Sequence, residues 1–448
     1  MRVFFKRDTA RDWLIPAMLL LLGFGAFFSR FATMTLLYAV LFPLCFASVY
    51  RSLPEAIAKH EPTVKAALIS CAVLLITLTY DDMQRVGWET VVTLLLPFFI
   101  CVICLLHPPR EMGERDVRRA VELFGGGMIL LYLPLELIAM FCLYTDRVIS
   151  LPLADGIIGV IHSGTLWDRL QILSHPNNVG QYAVFIIVFC LYFFRRYKKT
   201  ALRVGLALDI VMNIIVLAHV QSRNDSTAVA LAVVLFTFLT AREGALKKKQ
   251  PLAAVLAVAA GLCVYFAIDI IYKLDTALIS GASVGDIATR SDTYGKLDVV
   301  STGRGAIWKW ALGYFKAHPA KLLTGIGSDY YNIIAAEYPI ADTFRSLHCS
   351  FLTCLVVGGI PFLACVIWLL LTLLKPVVGM LLRAERTDFR GLVIIPILII
   401  VMFAMSQIES MLYINPHVNP CFQNLMFFAL CGYARAFERL HPRNESGR

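Results

Sequence analysis

Charged residues are scarce in this chain, whereas long hydrophobic runs are frequent. Asp, Glu, Lys and Arg together make up 16% of its 448 residues, and hydrophobic residues make up 58%. This composition excludes the usual classes of soluble globular protein and indicates a polytopic membrane protein. The formal charge of +10 does not indicate nucleic-acid binding, because most basic residues fall in short segments between apolar runs.

Motifs for metal or nucleotide chemistry are also scarce. The 12 cysteines include no pair of C-x-x-C motifs, and many of them lie in apolar runs, so they indicate neither disulfides nor a zinc site. The chain has no Asp-x-Asp pair, which many sugar transferases use to hold a divalent ion, and no His-Glu-x-x-His. We therefore expect no metal and no cofactor.

Twelve apolar segments are long enough, or nearly so, to cross a bilayer. The first follows Arg2, Lys6, Arg7 and Arg11, and the second begins almost at once, so we expect a retained signal-anchor helix at the amino terminus. The predicted spans run near 13–29, 32–50, 64–80, 88–106, 121–144, 178–194, 202–220, 226–241, 251–271, 349–374, 391–413 and 420–436.

Basic residues set the expected orientation of these spans. With the amino terminus in the cytoplasm, 28 of the 41 Lys and Arg residues fall in cytoplasmic segments, as the positive-inside rule requires. We therefore predict an all-α integral protein of the cell membrane with both termini in the cytoplasm. Its expected parts are nine helices in 1–271 with an outer loop at 145–177, a large outer loop at 272–348, three helices in 349–436, and a tail at 437–448.

The large outer loop is unusually basic for its predicted side of the membrane. It holds eight of the 13 Lys and Arg residues that are assigned to the outside, among them Arg290, Lys296 and Arg304. Because cations should be scarce on that side, we interpret them as partners of an anionic group. Arg290 and Lys296 are accordingly possible substrate contacts.

An amphipathic helix is predicted within this loop, beginning near Arg304 and ending at His318-Pro319. Its apolar face at helical spacing consists of Ile307, Trp310, Ala311, Tyr314 and Phe315. Such a helix beside a membrane bundle is expected to lie on the outer surface with this face against the bilayer. Gly325-Ile326-Gly327 is expected to form a turn.

Two arginines are candidates for binding an anion. Arg304 stands at the first turn of the predicted helix, where free backbone N–H groups and the helix dipole already favour negative charge, and its planar guanidinium suits phosphate. Arg223 is the basic residue of a very short outer turn between the seventh and eighth spans. The alternatives are a solvated surface arginine at 304 and, at 223, an interfacial arginine paired with Asp225.

His348 is the candidate general base. It stands where the large loop enters the tenth span, and a neutral imidazole near pH 7 can accept a proton from an attacking hydroxyl. The alternative is a packed interfacial histidine. Gly358-Gly359-Ile360-Pro361 follows within that span, where glycines permit a close helix approach or a break.

Amides and buried acids form two further sets of candidates. Asn177 and Asn178 begin the sixth span from outside, where they can contact sugar or phosphate or simply belong to the helix start. Four acids lie within predicted spans, where each can be a proton relay or a polar contact inside the bundle: Glu136, Asp209, Asp269 and Glu409.

Three short motifs resemble those of the O-antigen ligase and polymerase superfamily of membrane sugar transferases. Ser222-Arg223 is similar to its Ser/Thr-Arg outer-loop motif, and Thr302-Gly303-Arg304 followed by Trp308 is similar to its Thr-Gly-Arg-x-x-x-Trp motif. Leu347-His348, leading to Gly358-Gly359-Ile360, is similar to its His-Asn and glycine segment. Cys349 stands where the family usually has Asn, and Pro361 ends the glycine segment. These two departures weaken the assignment to a particular subfamily more than the resemblance to the superfamily.

The resemblance implies a metal-independent glycosyltransferase. The donor would be a glycan on a polyprenyl-pyrophosphate carrier, and the acceptor a hydroxyl of a glycan or lipid on the outer face. Arg223 and Arg304 would bind the pyrophosphate and His348 would be the base, while Trp308 would be a possible substrate contact. Whether the protein is a ligase or a polymerase stays open.

A transporter or flippase for lipid-linked glycans is the alternative function. Transporters typically carry charged residues near the middle of the bilayer and pairs of broken half-helices. Here the cations concentrate at the predicted outer surface and no internal repeat is visible, which favours the transferase. No positive signal indicates a receptor or a scaffold.

Overall fold

The computed structural model describes part of the chain. The described residues are 57–59, 61–81, 102, 105–106, 113–150, 157–161, 169–173, 176–243, 249–281, 283–284, 287, 304–327, 329–337, 347–382, 392–407 and 422–440. The predicted spans 13–29 and 32–50, most of 88–106, and the candidates Arg290, Lys296 and Glu409 lie outside these residues.

The described part is mostly helical. Six of its helices are long and apolar enough to cross a membrane, and they coincide with predicted spans. These are α2 (Glu114–Thr145), α3 (Pro176–Arg196), α4 (Thr200–Val220), α5 (Arg223–Glu243), α6 (Gln250–Ser280) and α10 (Ser350–Leu382). The remaining long helices are α1 (Pro62–Asp81), α11 (Ile394–Ser406) and α12 (Phe422–Leu440). A membrane-embedded helical protein is therefore confirmed, whereas the count of twelve spans and the orientation of the termini stay predictions.

Helix α3 is the centre of the bundle. Of its apolar stretch, 78% is buried, compared with 17% for α6, so α3 is surrounded by protein and α6 is peripheral. Close packing against α2 depends on a small residue, because a Cβ on Gly125 would lie 2.2 Å from the ring of Phe189. Small residues at such contacts let membrane helices approach closely.

The bundle has two chemically different ends. At the end named here the basic end, Arg195 donates to Thr240 (2.9 Å), Arg196 pairs with Glu122 (3.2 Å) and Arg435 pairs with Glu61 (2.6 Å). The opposite end, named the loop end, is where α2, α4 and α6 finish and where α3, α5 and α10 begin. The loop end corresponds to the predicted outer face.

A three-stranded antiparallel sheet, which the sequence did not predict, covers part of the loop end. Its strands are β1 (Ile149–Ser150), β2 (Ile157–Ile161) and β3 (Arg169–Ile172), in the order β1-β2-β3. Ile158, Leu170 and Ile172 are fully buried in the same apolar core as the bundle. The described strands of the predicted outer loop therefore fold onto the helix ends.

The described part of the large loop contains the helices α7 (Arg304–Ala317), α8 (Lys321–Thr324) and α9 (Tyr330–Glu337). The bounds of α7 confirm the predicted amphipathic helix. Its apolar face, however, is buried in protein: Ile307, Ala311, Tyr314 and Phe315 share a core with residues of α9, α10 and α1. The expectation that this face lies on the bilayer was therefore wrong, because α9 and α10 supply the apolar surface that covers it.

Helix α10 is broken at Gly359 (φ 68°, ψ −170°). The break leaves the carbonyls of Val356 and Val357 without helical donors, the second because Pro361 has no N–H. The predicted turn at 325–327 supplies both donors: Ile326 N–H donates to Val356 (2.7 Å) and Gly327 N–H donates to Val357 (3.1 Å). The turn thus joins the large loop to the membrane helix at the point where that helix lacks its own backbone hydrogen bonds.

Gly325→Ala should destabilise the protein markedly. Gly325 has φ 77° and ψ −178°, and an added Cβ would lie 2.2 Å from the carbonyl oxygen of Val357. The backbone conformation alone should cost about 1–3 kcal/mol. Thermal unfolding of the detergent-solubilised protein measures the effect.

Gly313→Ala is the matched control. A Cβ at Gly313, in the middle of α7, meets nothing within 4 Å, so this change should be neutral or stabilise by up to about 1 kcal/mol. Equal melting temperatures for the two variants would contradict the docking of the turn on α10.

Candidate functional site

His348 lies at the loop end, two residues before Ser350, the first residue of α10. Its backbone is left-handed (φ 49°), which is uncommon for a residue other than glycine, and its side chain is partly exposed. The carbonyl of the next residue, Cys349, already accepts the Thr353 N–H (2.9 Å), so the helix begins directly behind His348. The imidazole is therefore carried by a tightly specified backbone and not by a loose loop.

Leu347 holds this backbone from two sides. The Nε1–H of Trp308 donates to its carbonyl oxygen at 2.8 Å, and Leu347 itself is fully buried. Tyr330 of α9 lies against the same residue. Burial raises the pKa of Tyr330 to about 12, and a hydrogen bond with the backbone of Leu347 opposes the rise. His348 consequently takes its position from two aromatic side chains of the large loop.

Arg304 is the first residue of α7 and lies one helical turn before Trp308. Residues four apart share one face of a helix, so Arg304 and Trp308 point to the same side. Arg304 is 9% exposed, which does not fit the alternative of a solvated surface arginine. A cation that is this well buried, at a helix start where backbone N–H groups also favour negative charge, creates a strongly anion-attracting position.

Arg223 is the first residue of α5 and is half-buried. Its neighbours in sequence are firmly held: Asn224 donates to the Met405 carbonyl at the end of α11 (3.4 Å), and Asp225 is fully buried against Gly180 of α3. The short turn between α4 and α5 is therefore packed against α11 and α3, and it presents Arg223 at the loop end.

The end of α11 lies between the two halves of the predicted site. Phe403 contacts Phe351, three residues after His348, with ring centroids 6.1 Å apart, while Met405 accepts the bond from Asn224. Arg223 and His348 thus lie at the same end of the bundle, both beside α11. Trp308, one turn after Arg304, contacts the backbone next to His348 at Leu347.

Asn177 and Asn178 have different environments. The side-chain carbonyl of Asn177 accepts a bond from Arg169 of β3 (2.7 Å), and Arg169 also donates to the Val220 carbonyl at the end of α4 (2.8 Å). Asn177 therefore ties the sheet to the start of α3, which favours the structural alternative over a substrate contact. Asn178 is exposed and stays a candidate.

Sequence reasoning missed a second polar cluster at the loop end. The Asp275 carboxylate accepts a bond from Tyr144 (2.9 Å) and lies 2.7 Å from Nε2 of His219. These residues come from α6, α2 and α4, and His219 also packs edge-on against Tyr272. The available signal was a histidine at the end of one predicted span and an acid shortly after the end of another, but the pairing depends on which helices are neighbours.

One catalytic motif in the sequence has the wrong structural context. Residues 281–285 read Gly-Ala-Ser-Val-Gly, which matches Gly-x-Ser-x-Gly. The nucleophile elbow requires a strand before the serine and a helix after it. Here Gly281 caps the end of α6 in a left-handed conformation, so a helix precedes the serine.

Neither a group of metal ligands nor a similarity to known proteins indicates the function of this site. Among the residues that the structure describes, no group of three or more His, Cys, Asp or Glu side chains is placed to hold a metal ion. No protein-family model and no curated protein sequence matches the chain. The function is therefore argued from the geometry of the loop end.

Arg169→Gln should destabilise the protein by about 1.5–3 kcal/mol, since it removes two charge-assisted hydrogen bonds that tie the sheet to α3 and α4. Chemical or thermal unfolding in detergent measures the loss. Arg147→Gln is the control, because Arg147 is exposed and its guanidinium lies 5.9 Å from the Phe141 ring, a contact of about 0.5–1 kcal/mol. A larger loss for the control would show that the sheet is not held through Arg169.

Proposed function

We propose that the protein is a membrane glycosyltransferase that moves a glycan from a polyprenyl-pyrophosphate carrier to an acceptor hydroxyl on the non-cytoplasmic face. The observation that carries the proposal is the 2.8 Å bond from Trp308 to the Leu347 carbonyl. It brings the start of α7, with Arg304, beside the backbone of His348. A buried cation and a partly exposed imidazole thus belong to two segments that are in contact at one end of the bundle.

The chemistry needs both groups. The acceptor oxygen attacks the anomeric carbon of the donor sugar, the bond from that carbon to the pyrophosphate oxygen breaks, and the hydroxyl proton passes to the imidazole of His348. The pyrophosphate leaves with added negative charge, which Arg304 and Arg223 would stabilise electrostatically. Fixed guanidinium groups suit this task because they are always charged and match phosphate geometry.

The membrane setting supports a lipid-linked donor. Exposed Leu and Val side chains along α6, such as Val255, Leu262 and Leu278, give an apolar outer surface suited to lipid tails. A polyprenyl chain could stay in the bilayer while its pyrophosphate reaches the loop end. Holding the donor and acceptor at one surface would also supply the proximity term of the rate enhancement.

Transport of a lipid-linked glycan is the second candidate, and two observations favour it. Helix α10 is broken at Gly359, and Glu136 and Asp209 are buried within the bundle. Broken helices and intramembrane acids are both typical of transporters. The arginine and histidine positions at the loop end favour the transferase more directly, since transport requires no general base.

Reconstitution distinguishes the two functions. Purified protein in proteoliposomes receives a polyprenyl-pyrophosphate glycan and candidate acceptors, and the products are analysed by mass. A new glycosidic bond supports the transferase, and its absence across glycan and lipid acceptors contradicts it. Labelled carrier that crosses the bilayer with no new bond would establish transport.

Arg304→Ala and His348→Ala should each lower glycan transfer by about 10²–10³ while the protein still inserts and folds. The matched controls are Lys309→Ala, which removes an exposed cation from the same helix, and His318→Ala, which removes a histidine that pairs with Glu337 (2.7 Å). Both controls should keep near-normal rates. Wild-type turnover by purified Arg304→Ala would sink the proposed anion site.

Trp308→Phe should lower kcat by about tenfold, because one hydrogen bond of about 1–1.5 kcal/mol that positions His348 is lost. KM for the donor should change little, since Arg304 is untouched. Trp310→Phe makes the same change on a side chain that instead packs against Tyr331 (centroids 5.8 Å apart) and should leave kcat unaltered. An effect confined to KM would mean that Trp308 binds substrate and does not position the base.

A further inference from the structure

A group of buried polar side chains lies inside the bundle, away from the loop end. It consists of Glu136 of α2, Cys190 of α3, and Asp209 and Asn213 of α4, and is called here the buried acid cluster. Glu136, Cys190 and Asn213 are fully buried, and Asp209 is 4% exposed. Charged groups are rare at such positions because uncompensated burial of a charge is costly.

The cluster lies near the middle of the predicted bilayer. Asp209 is about 14 Å from the start of α4 and about 17 Å from its end, at 1.5 Å per residue. Glu136 is about 14 Å from the end of α2 on the same scale. These depths correspond to the centre of a hydrocarbon core of about 30 Å. The cluster is thus separate from Arg304 and His348.

Hydrogen-bond donors are too few for the acceptors in this cluster. The Cys190 thiol donates to Oδ2 of Asp209 (3.0 Å), and Nδ2 of Asn213 donates to the Asp209 backbone carbonyl (2.9 Å) and faces its Oδ1 (3.5 Å). Both carboxyl oxygens of Glu136 and the amide oxygen of Asn213 lack a donor. Asn213 and Asp209 are nevertheless the polar neighbours of Glu136. A buried excess of acceptors indicates a missing positive partner.

Among the described residues, no cation lies in contact with Glu136 or Asp209 to supply that partner. The groups that interact electrostatically with Glu136 or with the residues around it are Asp209, Cys190, Tyr132 and Tyr182, on α4, α3 and α2. All are acids or neutral at physiological pH. Two carboxylates that face each other in an apolar setting cannot both stay ionised, so one of them takes up a proton.

We propose that Glu136 and Asp209 share one proton and form an intramembrane proton-binding site. The bound proton supplies the donor that Glu136 lacks and reduces the net charge of the pair from two to one. A shared proton of this kind lets a membrane protein couple proton uptake to a change in helix packing. The proposal does not depend on glycan transfer, because the site uses none of the residues at the loop end.

Infrared spectroscopy of the reconstituted full-length protein tests this proposal. At neutral pH exposed carboxyl groups are ionised, so a carbonyl stretching band of a protonated carboxylic acid, shifted in D₂O, should persist from the pair. The double variant Glu136→Gln with Asp209→Asn should lose this band. Glu122→Gln removes a carboxyl beside Arg196 at the basic end and should leave the band unchanged.

Single variants and salt distinguish the remaining outcomes. In Glu136→Gln or Asp209→Asn, the band should shift in frequency, because the remaining carboxyl group no longer shares its proton with a second carboxylate. A wild-type protein with no such band at neutral pH, or a band whose intensity is unchanged in the double variant, would overturn the proposal. So would a sodium-dependent rise in melting temperature without the band, since the pair would then hold a metal cation. If a variant fails to insert, the presence or absence of the band in the wild-type spectrum still tests the proposal.

Discussion

Backbone groups inside a bilayer must find partners within the protein, and this requirement governs the join between the membrane helices and the large loop. Helix α10 contains Gly359 and Pro361, so the carbonyls of Val356 and Val357 cannot be satisfied within the helix. Residues 325–327 satisfy them from outside. The large loop is therefore an integral part of the membrane fold, and its helices pack on α10 through a shared apolar core.

This join also determines where the polar side chains of the candidate site lie. Because α9 and α7 are anchored on α10, Tyr330 and Trp308 both reach Leu347, and His348 takes a left-handed conformation at the start of the helix. Arg304 belongs to the same element as Trp308. The turn between α4 and α5 is joined to the end of α11 by Asn224, so Arg223 is also positioned by contacts at the loop end.

Two kinds of polar group occur in the protein, and they suit different tasks. Cations at the loop end can meet an anion that arrives from the bilayer surface, where water and lipid head groups are available. Acids in the middle of the bundle, such as Glu136 and Asp209, are buried from solvent, and we propose that they bind a proton. A transferase with a proton-linked change in packing would use both sets.

The sequence determined the membrane class and the positions of most described helices. A single span can cross a bilayer only as a helix, and the length of an apolar run shows directly whether it is long enough to do so. The sequence also predicted the start of α7 at Arg304, a possible break near Gly359 and the turn at 325–327. These features could be predicted because glycine, proline and helix-capping residues act on the local backbone. Tertiary structure alone decided that the apolar face of α7 contacts protein, that short strands cover the helix ends, and that His219 meets Asp275 and Glu136 meets Asp209. These contacts join segments far apart in the chain, and they depend on which helices pack together, which no local pattern encodes.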